Sequence, residues 1–92
     1  MSSRELVLAT LEGRPTDRVP VGPMMLDLGA AVIDAPIGLF CSDADVMARG
    51  QLALHQEVGQ DIIFLGCDNY YIAEGFGCVA ELPADETPHL VK

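Results

Sequence analysis

Apolar and polar positions change their spacing along this chain, and the changes mark its elements. Ser2 and Glu5 form an S-x-x-E capping box ahead of Leu6, Val7, Leu8 and Leu11. A short helix is expected over 3–12, stopped by Gly13. After a polar turn through Pro15 and Asp17, Val19-Pro20-Val21 opens an extended stretch. Pro20 and Pro23 forbid a helix and remove ladder donors, so 19–26 is expected as a short strand with its prolines at tolerated positions. A second helix is expected from Asp27 or Leu28 through Ile33, ended by Pro36. Ser42 is the expected N-cap of a longer helix over 43–58, with Asp43 and Asp45 at its positive end. Val46, Met47, Leu52, Ala53, Leu54 and Val58 give this helix a wide apolar stripe, and Gly59 closes it.

Ile62-Ile63-Phe64-Leu65 follows at once. Four bulky apolar residues between turn signals predict a strand over 61–65 buried on both faces, as in a parallel sheet. A short helix over 72–76 and a hairpin over 79–91, with Pro83–Thr87 as an acidic turn, complete the chain. Strand, helix, strand in that order is a βαβ unit with a right-handed crossover. The expected fold class is therefore α/β. Two parallel strands alone leave sheet edges and faces uncovered. Half of the 92 residues are hydrophobic and mean hydropathy is +0.30, which is apolar for a small independent domain. The expectation is an incomplete α/β unit: a truncated piece of a larger protein, or one that must assemble with other copies.

Charge narrows the partners. Fourteen acidic and five basic residues give a net charge of −9, with no basic stripe for nucleic acid or an anionic membrane. No apolar run approaches the ~20 residues of a membrane span, and the start of the chain lacks an apolar signal core, so a cytoplasmic protein is expected. Cys41, Cys67 and Cys78 form no CxxC pair and are expected as reduced thiols. His55 and His89 have no ligand-spaced partner, so no metal is expected within this chain.

In α/β sheets and barrels, chemistry sits beyond the carboxyl ends of the strands. Here that points to Met24-Met25-Leu26-Asp27 and to Gly66-Cys67-Asp68-Asn69-Tyr70-Tyr71. Asp68 is the candidate catalytic residue, as a general acid/base or as an acceptor for a substrate N–H; an Asx turn or helix cap is its other reading. Asn69, Tyr70 and Tyr71 are candidate substrate-binding residues, the tyrosines as pocket walls. Cys67 reads as a small packing residue rather than a nucleophile. Met24 and Met25 are candidate apolar lining. Asp27 is either a site residue or the N-cap of the following helix.

The run from Ser3 to Gly13, followed by Pro15-Thr16-Asp17-Arg18-Val19-Pro20-Val21, resembles the N-terminus of the uroporphyrinogen decarboxylase superfamily. Its "R-x-x-V-L-A-x-L-x-G … D-R-V-P-V" pattern carries the resemblance. Gly59-Gln60-Asp61-Ile62-Ile63 and Ala73-Glu74-Gly75-Phe76-Gly77 agree with the superfamily's second strand and following helix. The resemblance implies that residues 1–92 are the N-terminal portion of a (β/α)8 TIM barrel with an N-terminal helical extension. It also implies that Asp68 matches the aspartate which, in the decarboxylases, binds the substrate's pyrrole N–H groups. The decarboxylases carry a "P-V-W-x-M-R-Q-A-G-R" motif whose arginines hold substrate carboxylates. Here the matching stretch, Pro20-Val21-Gly22-Pro23-Met24-Met25-Leu26-Asp27-Leu28-Gly29, has neither arginine. The methylcobamide:CoM methyltransferase-like branch, which lacks that motif, is therefore favoured.

That branch implies methyl transfer involving a corrinoid protein, with zinc ligands in the later half of the barrel and no cofactor held within this chain. The segment alone is expected to be inactive. A decarboxylase of tetrapyrrole biosynthesis and a non-catalytic assembly module are the alternatives. The implied partners are a small-molecule substrate or a corrinoid protein, with a homodimer left open.

Overall fold

The computed structural model describes residues 1–66 and 70–92. Helix α1 spans Ser3–Leu11, α2 Leu28–Val32, α3 Ile37–Ser42, α4 Ala44–Val58 and α5 Tyr71–Gly75; β1 (Ala80–Glu81) and β2 (His89–Leu90) follow.

The capping box forms at α1. Ser2 Oγ accepts from the Glu5 N–H (3.2 Å), and the Glu5 carboxylate accepts from the Ser2 N–H (2.8 Å). Leu6 and Ala9, one turn apart on the same face, are fully buried.

Helix α4 begins one residue later than expected. Its cap is Asp43, whose Oδ1 accepts from the N–H groups of Asp45 (2.9 Å) and Val46 (3.1 Å). Ser42 is instead the last residue of α3, a helix the sequence pattern did not announce; its Oγ donates back to Gly38 O (2.7 Å). Pro36 at the N-cap of α3 starts this extra helix as well as ending the previous segment. At its far end α4 stops where Gly59 turns left-handed (φ 72°) and donates to His55 O.

Helices α2, α3 and α4 pack on one another around Ala30, Phe40 and Val46. At the α2–α4 crossing backbone meets backbone. A Cβ built on Gly29 would lie 2.8 Å from the Gly50 carbonyl carbon. One built on Gly50 would lie 2.6 Å from Phe40 Cε2 and 2.9 Å from Gly29 O. Phe40 is fully buried, and its ring occupies the space that a side chain at Gly50 would need.

The strands expected over 19–26 and 61–65 do not form. Both segments are extended without a ladder, and the only sheet among the described residues is the antiparallel β1–β2 pair, with Ala80 opposite Leu90 and Glu81 opposite His89. The two backbone bonds between the segments both end on Val21 O, from the N–H groups of Asp61 (2.7 Å) and Ile62 (3.3 Å). Pro20 and Pro23 cannot donate, so the first segment has lost two of the groups a ladder would use. The described α/β character is accordingly mostly helix.

The segments nonetheless lie side by side and run parallel. Val21 meets Asp61, Gly22 meets Ile62, and Leu26 and Gly66 share one side-chain partner, the same offset of 40 residues each time.

Asp61 fixes this register. Its Oδ1 accepts from Ser3 Oγ (2.7 Å) and Arg18 Nη2 (2.6 Å); its Oδ2 accepts from Arg18 Nη1 (2.7 Å) and the Val21 N–H (2.8 Å). The side chain of Asp61 is 1% exposed. One carboxylate thus ties α1, the turn before the first segment and both segments together. The Arg18 fork, then the Val21 N–H and the Ser3 hydroxyl, hold its carboxyl far below the usual carboxylate range.

The hairpin turn rests on α3. The Gly38 N–H donates to Ala84 O (3.2 Å), and the Pro83 and Leu82 carbonyls occupy the space a Cβ at position 38 would need.

The molecule measures 47 × 29 × 17 Å, with a radius of gyration of 15.6 Å. A compact chain of this length would have about 12 Å. The molecule is flat and elongated, and many apolar side chains on its outer faces are left uncovered. Leu11, Val19, Leu65 and Phe76 are each more than three-quarters exposed. Among the described residues no helix is long and apolar enough to cross a membrane.

Two outcomes follow from this packing. Gly50→Ala gains up to about 1 kcal/mol of helix propensity but drives a methyl group into Phe40 and the Gly29 backbone, which costs ~1–3 kcal/mol. Net destabilisation is expected, read as earlier loss of helical circular dichroism on heating. For Asp61 the folded carboxyl is depressed, so its contribution is present above the unfolded value near 3.8 and is lost as pH falls below it. Asp61→Asn is expected to lower the melting temperature at neutral pH by several degrees and to flatten the acid limb of stability against pH.

Candidate functional site

The two extended segments end together, and a cleft of about 250 Å³ opens there. Met24 and Leu26 line it from the first segment, Phe64, Leu65 and Gly66 from the second, and Tyr71 and Ile72 from the start of α5. It lies at the carboxyl ends of a parallel pair, where α/β sheets and barrels place their chemistry. Its described walls are apolar and aromatic. Gly66, at φ 145°, lets the backbone leave the segment in a direction other residues rarely adopt.

Gln51 joins the two segment ends. It projects from α4, is 3% exposed, and its Nε2 donates to Leu26 O (3.1 Å) and Gly66 O (3.4 Å). A buried amide without partners would be costly, and the two terminal carbonyls satisfy its donors.

Of the residues singled out from sequence, Met24 and Tyr71 line this cleft. Met25 is half-buried and does not line it; its N–H donates to Pro23 O (3.0 Å), a tight turn within the first segment. Tyr70 is the N-cap of α5. Asp27 turns elsewhere. It borders a separate shallow cleft of about 360 Å³ with Asp85, Ala35, Pro36 and Ile37. It stands at the N-cap position of α2 but makes no side-chain capping bond, its backbone being near ψ 1° rather than extended. Asp68 and Asn69, with Cys67, lie outside the described residues.

Sequence reasoning missed Gln51 and the Asp61–Arg18 pair. Gln51 was signalled by its place beside Gly50 and one turn before Leu54, on a face otherwise apolar. Asp61 was read only as the polar start of an apolar run. An acid directly before such a run, with an arginine directly before the earlier one, is the trace it left.

No three His, Cys, Asp or Glu side chains come together as a metal site among the described residues.

Neither the curated proteins nor the solved structures include a match to this chain. A family model does match, and it covers residues 2–92: that of uroporphyrinogen decarboxylase (URO-D). Two parallel segments joined through helices, with a cleft at their carboxyl ends, suit the fold of that family, and the chain belongs to the uroporphyrinogen decarboxylase (URO-D) family of TIM-barrel proteins.

Proposed function

We propose that this chain forms the first part of a URO-D family barrel that moves a methyl group between a corrinoid and a thiol or other acceptor, with the cleft between Met24 and Tyr71 as part of its substrate site. The observation that carries this reading is that the described residues lining the cleft include no cation. Arg18 is held by Asp61 and Arg14 pairs with Glu12. The decarboxylase substrate is a polycarboxylate, and paired guanidinium forks are the usual means of holding one. Apolar and aromatic walls instead suit the face of a large, mostly apolar ring and keep water from it.

In this reading Met24, Phe64 and Tyr71 bind and orient the donor. When a thiol accepts a methyl group its proton must leave, and Asp68 is the carboxylate assigned to take it. Asn69 and Tyr70 supply hydrogen bonds to the same substrate. Met24 and Leu65 are 70% and 80% exposed, which supports the reading that further parts of the barrel complete the site. Zinc, where the reaction uses it, is held by other parts of the barrel.

The chain has no tryptophan, and both its tyrosines adjoin this region, so intrinsic tyrosine emission reports on it. Methylcobalamin is expected to quench that emission saturably, whereas uroporphyrin, a polyanion, is expected to bind far more weakly. Tighter binding of uroporphyrin would overturn the methyl-transfer reading in favour of the decarboxylase. In a complete barrel carrying these residues, Asp68→Ala is expected to lower kcat by about 10²–10⁴-fold with helical content unchanged. Unaltered turnover would leave Asp68 as a turn residue.

A further inference from the structure

We infer that Gln51 is a positioning residue whose amide sets the distance between the two walls of the cleft. The inference deepens the substrate-site reading and rests on it for its functional meaning.

Gln51 acts on the walls of the cleft, through the carbonyls of Leu26 and Gly66. Both of these residues line the cleft, one from each segment. At the opposite end Asp61 fixes the register, but register leaves the separation of the far ends undetermined. Among the described residues no backbone bond joins the segments beyond Val21. Contacts between apolar walls are non-directional and accept a range of separations. A single NH2 group donating to two carbonyls does not, since it cannot keep both bonds once the acceptors part by about an ångström.

The amide is itself held firmly. Gln51 adjoins Gly50, and a Cβ on Gly29 would lie 3.2 Å from the Gln51 backbone nitrogen, so its backbone is held at the close α2–α4 crossing. Neither leucine, with no donor, nor ionised glutamate, with acceptors only, can replace it.

The test begins without a ligand. Acrylamide quenching of tyrosine emission measures how open the cleft is around Tyr71. Quenching is expected to rise in Gln51→Leu and, at neutral pH, in Gln51→Glu, with far-ultraviolet circular dichroism unchanged. Mild acidification protonates the new glutamate and restores one donated bond. Quenching should then fall in Gln51→Glu but not in Gln51→Leu or in the wild type. A role in helix packing alone would not produce that difference.

Methylcobalamin affinity is expected to weaken about tenfold in Gln51→Leu, the scale of a lost buried hydrogen bond. Wild-type quenching in a folded Gln51→Leu protein overturns the inference. If that variant loses helical content, Gln51→Glu decides, and quenching that ignores pH overturns it. If quenching behaves as expected but methylcobalamin binds no form of the protein, the substrate reading fails and the positioning role stands.

Discussion

A single carboxylate accepting four hydrogen bonds sets the geometry from which the rest follows. Asp61 draws Ser3, Arg18 and the Val21 backbone to one point, and from that point the two extended segments run side by side in register. Burying a charge is costly unless it is paired and fully hydrogen-bonded, and here every acceptor position in use faces a donor. Pairing alone would give a weak exposed bridge. It is the Val21 N–H and the Ser3 hydroxyl that turn this bridge into a fixed joint between α1 and the two segments.

The helices do the other half of the work. A crossover must return the chain to the side of the first segment, and α4 can do so at close range because Gly29 and Gly50 let two backbones touch. Closeness at the crossing places the next residue, Gln51, where its amide reaches the segment ends. The parallel pair is thus fastened at both ends by side chains, from Asp61 at the start and Gln51 at the finish, with little help from backbone pairing. This arrangement suits a segment whose prolines have removed part of its hydrogen-bonding edge.

What could be read from the sequence was what is local. The cap of α1, the glycine stop of α4, the hairpin and the approximate extent of α4 depend on residues within a few positions of one another. Helix α3 was missed because Pro36 reads equally as the end of one helix and the beginning of the next. The two strands were misjudged because a ladder is a property of two distant segments, and apolar composition cannot show which donors find partners. Asp61 and Gln51 escaped notice for the same reason, their partners lying 15 to 58 residues away. Of the residues singled out past the strand ends, Met24 and Tyr71 line the cleft, whereas Asp27 borders a separate one.

The seat of the hairpin on α3 has a consequence for how this surface can vary. The contact is made by main-chain atoms: the Gly38 N–H with Ala84 O, and the carbonyls of Leu82 and Pro83 against a residue that has no side chain. Side chains at the tip, such as Glu86 and Thr87, take no part in those contacts. Changes of charge or size at Glu86 and Thr87 therefore leave the docking contacts in place, whereas a side chain at position 38 would collide with the Pro83 carbonyl.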